Sequence, residues 1–543
     1  MHTAIQPLDW IIITVYLAAL MLFGLWLSRS QRSRADYYVG GRRVGPIAIG
    51  ISTMATQCST NSILGAPAFV AFAAGGGLIW LQYELAVPLA MIAIMVFMLP
   101  LFRALNLISV YGYLEQRFGL GTRLALSGLF QFVRAFATAV TVYSIGLVIE
   151  LITGLSFFWS VMLLGVMTVV YDTLGGIRGV IYSDVLQMAV LVAVLLLVLV
   201  TMLFDVGGVS GLFTTFPAER QQTLNFAAHG FGDGETFAFW PMLLGGFFLY
   251  VSYYGCDQSQ VQRELCATDV DDANRSLLLN GFLRFPLVLL YCLVGVGIAA
   301  YATHQPDFLT RLPLTNDEPN YNLAVPLYML EHLPTGLVGL GLVALFAAAM
   351  SSLDSVINSL SATTMEDFVH RFRRNRWSLR KELLLSRLLT VGWGIVTLWL
   401  AFHVDDIAST VLESINKIGS LVNGPVAAVF ALGLLTKRTS GTGAVTGLVA
   451  GFIVNAYLWK FLPQISWLWW NPLGFAITFG VGLAVSVIQP QEQPVAAPLR
   501  WSKARYQQFG FKLNWGPRYL ALLAWFFVML GILVVLQGIP ADA

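Results

Sequence analysis

Charge is what this sequence has least of. Asp, Glu, Lys and Arg make up 11% of its 543 residues, where soluble domains carry about 25%, so an ordinary solvated surface cannot be built from it. The net charge is only +2, and no basic run is interleaved with stacking aromatics, which argues against nucleic acid as a partner. Cysteine is scarce as well. Cys58, Cys256, Cys266 and Cys292 form no CxxC pair and lie near no His-rich tract, so neither a disulfide framework nor a zinc site is expected. The six histidines, at 2, 229, 304, 332, 370 and 403, fall at or near loops. No Ser, His and acid set converges, so the chain is not expected to be an enzyme and no cofactor is expected. No positive region precedes the first apolar run, which does not fit a secretory signal.

What the chain does have is apolar length: 57% of its residues are hydrophobic and the mean hydropathy is +0.73. Apolar stretches of about 20 residues fall near 8–28, 46–71, 78–102, 124–151, 157–175, 180–204, 238–257, 277–303, 335–365, 383–402, 409–435, 441–462, 469–489 and 517–537. The expectation is an all-α polytopic membrane protein with about 14 transmembrane helices. Of the 31 Lys and Arg residues, 24 fall in alternate loops, against three (Arg220, Arg311 and Lys460) in the others. Positive residues stay inside, so both termini are expected to be extracytoplasmic, in the plasma or inner membrane of a cell. The outer loops 206–237 and 304–322 are rich in Gly, Pro, Asn and acids and are candidate lids.

Polar residues inside such spans need a reason. The stretch ALFAAAMSSLDSVINSLSATTMED (Ala344–Asp367) puts Ala348, Ser351, Ser352 and Ser355 on one helical stripe with Asp354 beside it. A carboxylate at that depth marks an ion or substrate path; close packing explains the small residues but not Asp354. The second span carries Thr53, Thr56, Gln57, Ser59, Thr60, Asn61 and Ser62, then Gly65 and Pro67. Either a helix unwinds there, freeing carbonyls for a cation, or Ser and Thr rebond a Pro-kinked backbone. The eleventh span repeats the theme with Asn416, Lys417, Ser420 and Asn423-Gly424-Pro425.

Two further segments are TLGGIRGVIYSDVLQ (Thr173–Gln187) and GCDQSQVQREL (Gly255–Leu265), the latter read as closing the seventh span with a Gln-Arg pair that faces the cytoplasm. Together with DYYVGGRRVGP (Asp36–Pro46) and the two polar spans, in this order and spacing, they resemble the sodium/solute symporter family, which contains sodium-coupled sugar, proline, sialic acid and monocarboxylate carriers. The resemblance covers about residues 8–490. It implies a LeuT-type 5+5 inverted repeat within a single transporter domain, 1–543: residues 46–205 form the first repeat, 238–436 the second, and 441–537 hold additional spans. The second and seventh spans would be interrupted, the seventh at Gly245-Gly246.

The resemblance also implies a site. Sodium would be held by backbone carbonyls of Ala55, Cys58 and Ala348 with the hydroxyls of Ser351 and Ser352. A candidate second cation site is Asp184, Asp354 and Ser355. Asp354 stands where relatives carry Ser or Thr, which leaves open a second sodium, a tighter one, or a proton. Gln57, Ser59, Glu84, Arg134, Tyr253 and Asn416 would meet the solute. Sialic acid carriers place an arginine at the position of Arg134 for the substrate carboxylate; the alternative is permanent neutralisation by Glu84 or Asp172. The implied function is a sodium-coupled symporter importing a small polar organic solute, a sugar or sugar acid, with a monocarboxylate as alternative. The implied partners are solute, sodium ion and bilayer. A membrane sensor or channel without coupled transport is the reading from another class, disfavoured because no pore-loop repeat is visible.

Overall fold

Turning the chain's apolar surface outward leaves its polar residues to meet one another inside. In the computed structural model Phe132, Phe204 and Val487 are 75%, 83% and 81% exposed, whereas Asp172, Asp184, Arg263 and Asp354 are fully buried. The structure describes residues 5–58, 60–315, 318–373, 377–404, 411–490 and 499–539, without the side chains of 60–62, 315 and 411–417. In chain order, the helices that build the bundle and its site are α1 (Pro7–Ser28), α2 (Pro46–Gln57), α3 (Thr60–Ala71), α4 (Ala86–Phe97), α5 (Leu120–Thr153), α6 (Phe157–Asp205), α7 (Phe239–Cys256), α8 (Gln258–Glu264), α9 (Val270–His304), α10 (Ala324–His332), α11 (Leu337–Thr363), α12 (Leu379–Ala401), α13 (Val411–Leu435), α14 (Gly441–Phe461), α15 (Trp470–Ile488) and α16 (Gly516–Gln537). A two-stranded ribbon, Leu314–Thr315 against Glu318–Pro319, accompanies them.

Eleven helices among the described residues are long and apolar enough to cross a membrane, so the fourteen expected spans are not recovered as fourteen. The difference lies in three places. The second span is broken into α2 and α3, of 12 residues each. The fifth and sixth are joined in α6, whose 49 residues would reach about 70 Å at helical rise and therefore cannot cross once. The seventh, α7, has only 18 residues and carries three tyrosines and a proline.

Each break has a local cause. α2 ends at Gln57, and Cys58 leaves helical geometry at φ −78, ψ 64, so the last carbonyls of α2 lose their helical donors. α6 breaks at Gly176, whose φ of 56 and ψ of −163 is open only to glycine. Gln31 serves the carbonyls freed there, donating from Nε2 to Leu174 O at 3.0 Å and Gly175 O at 2.6 Å. Pro425 in α13 has no N–H to give Leu421, and Asn455 of α14 donates to that carbonyl instead, at 3.0 Å.

The seventh span does not break where expected. α7 runs unbroken through Gly245-Gly246, and the chain leaves helical geometry at Asp257 (φ −86, ψ 124) before α8. The two glycines serve contact: a Cβ on Gly245 would strike the Leu468 carbonyl, and one on Gly246 would come within 3.0 Å of Tyr83 and Ala86. The serine-rich helix is anchored from far off in sequence. Asp9 of α1 accepts from the amides of Gly336 and Gly339, both at 2.7 Å, and so caps the start of α11 with a negative charge.

At Gly176 an added Cβ would lie 2.8 Å from the ring and carbonyl of Tyr37, on a backbone that L residues avoid. Gly176→Ala is expected to destabilise the protein by about 1–3 kcal/mol, seen as earlier thermal unfolding of the detergent-solubilised protein by intrinsic fluorescence. An unchanged unfolding curve would show that the kink is not fixed by this residue.

Candidate functional site

The ends of α2 and α7 and the middle of α13 converge on one cavity of about 290 Å³, lined among others by Thr56, Gln57, Glu84, Arg134, Thr138, Tyr253, Ser352 and Asn423. Six elements supply these groups: the end of α2, the segment before α4, the middle of α5, and the helices α7, α11 and α13. The cavity is bounded on the side of loops 206–237 and 304–322 by an aromatic layer. Phe69 meets Trp80 and Phe237 edge-on at 5.3 and 5.0 Å, and Phe72 stacks on Tyr321 at 4.7 Å. At the other end it reaches Tyr111, Leu126 and Phe130.

One buried and one half-buried ion pair face this space. Glu84 pairs with Arg284 of α9 at 3.2 Å and accepts from the Tyr250 hydroxyl at 3.0 Å. Arg134 gives its Nε to Asp257 Oδ2 at 2.5 Å and lies over the Tyr253 ring at 4.9 Å. The sequence reading had offered Glu84 or Asp172 as the partner of Arg134, and the structure corrects both. Glu84 is taken by Arg284, and Asp172 accepts from Asn358 Nδ2 at 2.9 Å. Because Asp257 holds only Nε, the terminal amino groups of Arg134 stay available at the cavity wall. Gln57 accepts a hydrogen bond from the Tyr254 hydroxyl, and Tyr253 accepts one from Gln260 at 2.8 Å, so both rims are positioned by α7 and α8.

Deeper in, α2 and α11 meet at the hydroxyls of Thr56 and Ser355, 3.0 Å apart. Ala55, Cys58, Ala348 and Ser351 are all buried at this level, and the Ser352 hydroxyl donates to Ala348 O at 3.2 Å. Ser351 Oγ, Asp184 Oδ1 and Asp354 Oδ2 are buried without a hydrogen-bond partner among the described residues, an excess of acceptors that a hard cation would satisfy. The other Asp354 oxygen accepts from Ser355 at 3.1 Å, whereas Arg387, its other conceivable partner, turns to Gln31 at 3.0 Å. Among the described residues no cluster of three His, Cys, Asp or Glu could hold a metal ion. Ser59 and the side chains of Asn416 and Lys417 lie outside the described residues.

Sequence reading misplaced one element. Helix α8, taken to face the cytoplasm, is buried from Gln258 to Glu264. Gln258 donates to Ile108 O at 2.7 Å and Gln262 to Tyr38 O at 2.8 Å. Arg263 gives Nε to Ser52 at 2.7 Å, its terminal nitrogens to Ser259 O and Ser355, and approaches Asp184 at 3.4 Å. Glu264 accepts from Thr53 at 3.0 Å and from Ser276. The only signal in the sequence was the density of Gln, Arg and Glu directly after a span.

Comparison with known proteins follows the same lines. Residues 37–451 match the model of the Sodium:solute symporter family. The Sodium/sialic acid symporter NanT of Aliivibrio fischeri is 30% identical over 481 residues, 88% of this chain and 92% of its own length. Human Sodium-coupled monocarboxylate transporter 1 is 30% identical over 81% of this chain and 71% of its own. Among solved structures, a Na⁺-coupled sialic acid symporter in a substrate-bound outward-open state, said to reveal a novel Na⁺ site, superposes with a TM-score of 0.79 at 25% identity, covering 90% of this chain and all of that one. The nucleobase-cation-symport-1 transporter Mhp1 shares the fold, with a TM-score of 0.53 at 14% identity over 88% of this chain and 99% of its own.

Removing one member of a buried pair leaves the other charge uncompensated. Glu84→Gln is therefore expected to destabilise the protein by about 3–5 kcal/mol, and the double change with Arg284→Gln should recover part of the loss. Thermal unfolding of the three variants checks this; equal stability of Glu84→Gln and wild type would show that the pair is not needed.

Proposed function

The chain belongs to the sodium:solute symporter family, and from that premise we propose that it imports a sugar or sugar acid by coupling uptake to inward sodium flow through alternating access. The observation that carries the solute class is the Arg134 guanidinium, two of whose donor groups are left free at a cavity whose largely apolar and aromatic wall also bears hydroxyl and amide side chains. A guanidinium fork suits a carboxylate, and Thr56, Gln57, Thr138 and Asn423 suit the hydroxyls of a sugar acid. Gln57, Ser59, Glu84, Arg134, Tyr253 and Asn416 form the solute site, Glu84 acting through its hold on Tyr250 and Arg284. A monocarboxylate is the second reading, because Arg134 would hold its carboxylate equally well and the human monocarboxylate carrier is as similar in sequence.

Sodium is cargo in this scheme. It is held by the carbonyls of Ala55, Cys58 and Ala348 and the hydroxyls of Ser351 and Ser352, and Asp184, Asp354 and Ser355 form a second cation site. Five neutral oxygens bind a monovalent cation loosely enough for release inside. The carrier is built as two inverted repeats, 46–205 and 238–436, with 441–537 as additional spans. It sits in the cell membrane with both termini outside, so the aromatic layer of Phe69, Trp80 and Phe237 is the outer closure. The family gives no reason to expect chemistry on the solute, in keeping with a carrier and not an enzyme.

Uptake of labelled sialic acid, neutral hexose and short carboxylates into proteoliposomes, under an inward sodium gradient or with sodium replaced by potassium, tests the proposal. Sodium-driven accumulation of the sugar acid is expected; accumulation of every solute without sodium would contradict it. In the same assay Ser352→Ala should raise the sodium needed for half-maximal uptake several-fold while insertion is retained, and unchanged sodium dependence would remove Ser352 from the site. Arg134→Lys should raise the half-saturating solute concentration about tenfold, because a point ammonium cannot reproduce the two-pronged contact. Equal uptake by the two proteins would remove Arg134 from the solute site.

A further inference from the structure

We infer that Arg263 is a resident counter-cation that competes with the second transported cation for Asp184 and Ser355, an inference that rests on the second cation site proposed above. The guanidinium is fully buried and bonded from α8 to α2 through Ser52 at 2.7 Å, to α11 through Ser355, and to α6 through Asp184 at 3.4 Å. Ser52 also donates to the same Asp184 oxygen, at 2.5 Å. Asp184 is one of three fully buried carboxylates on α6 and α11, the others being Asp172 and Asp354. Among the described residues Arg263 is the one cation that any of them touches.

The leftover acceptors point to a second positive charge. Asp184 Oδ1, Asp354 Oδ2 and Ser351 Oγ are buried and without a partner, while the Asp184 oxygen and the Ser355 hydroxyl turned toward α8 are occupied by Arg263. A cation drawn in by the free oxygens would share Asp184 with the guanidinium at a few ångströms, where two positive charges in a low dielectric repel. One must yield. The cation enters and leaves as cargo, whereas Arg263 is tethered, so the guanidinium holds Asp184 when the cation has gone and retreats when it returns.

The chain is jointed for that retreat. α8 is a short helix hung on the non-helical Asp257, and Asp257 is also the residue that holds Arg134 at the solute cavity. Five residues, 258–262, thus separate the acid that holds the solute arginine from the arginine that fills the cation site. A shift of α8 driven by cation entry would move Asp257 with it and change the partner left to Arg134, a physical link between cation and solute.

Sodium titration of the full-length protein in nanodiscs by calorimetry, with choline as control, tests the inference on wild type, Arg263→Gln, Arg263→Lys and Asp184→Asn. Wild type should bind two sodium ions, one lost in Asp184→Asn, and Arg263→Gln should bind the second roughly tenfold tighter, a coupling of ordinary size. Two sodium ions in wild type with unchanged affinity in Arg263→Gln would overturn the role of the arginine and leave the second site standing. A single sodium in wild type, unaffected by Asp184→Asn, would overturn both. Should Arg263→Gln fail to fold, Arg263→Lys decides: it keeps the charge but cannot span Ser52, Asp184 and Ser355 at once. Tighter second-site binding than wild type supports the inference, and equal binding overturns it.

Discussion

Charge inside a bilayer has to be compensated, and the interior of this protein is organised by that demand. Arg284 meets Glu84, Arg134 meets Asp257, and Arg263 meets Asp184. Each pair joins segments far apart in sequence, and each lies at the central cavity or at the hydroxyl-rich crossing of α2 and α11. An isolated ion at this depth would cost several kcal/mol. Pairing removes most of that cost and, in doing so, fixes which helices are neighbours.

The same demand governs the backbone. Wherever a helix is interrupted, an amide or carbonyl loses its helical partner and must find another away from water. Gln31 serves the kink at Gly176, Asn455 the carbonyl opposite Pro425, and Asp9 the amides at the start of α11. At the end of α2 the chain instead meets the serines of α11, Thr56 and Ser355 lying hydroxyl to hydroxyl. The break at Cys58 is the one proposed above as a cation site.

The helical, membrane-spanning character was legible because it rests on apolar length, and the two polar stretches were legible because Asp354 and the Thr53–Ser62 run have no business in a plain span. Partnership was not legible. The residues that meet Arg134 and Glu84 lie 123 and 200 positions away, a distance over which spacing carries no information. α8 was misread for a physical reason: a run of Gln, Arg and Glu after a span looks the same whether water or other polar helices satisfy it. The seventh span was misplaced because glycine pairs serve close packing as readily as they serve breaks, and Gly245-Gly246 serve packing.

The account stands on coupling: two sodium ions carried with a solute that bears one carboxylate, as proposed, move one net positive charge in each cycle. The direct test is the voltage at which net solute flux across a proteoliposome membrane stops, measured at several sodium gradients with the solute gradient held fixed. A reversal voltage that moves with the sodium gradient is the predicted result. A flux that reverses at the same voltage whatever the sodium gradient would contradict it.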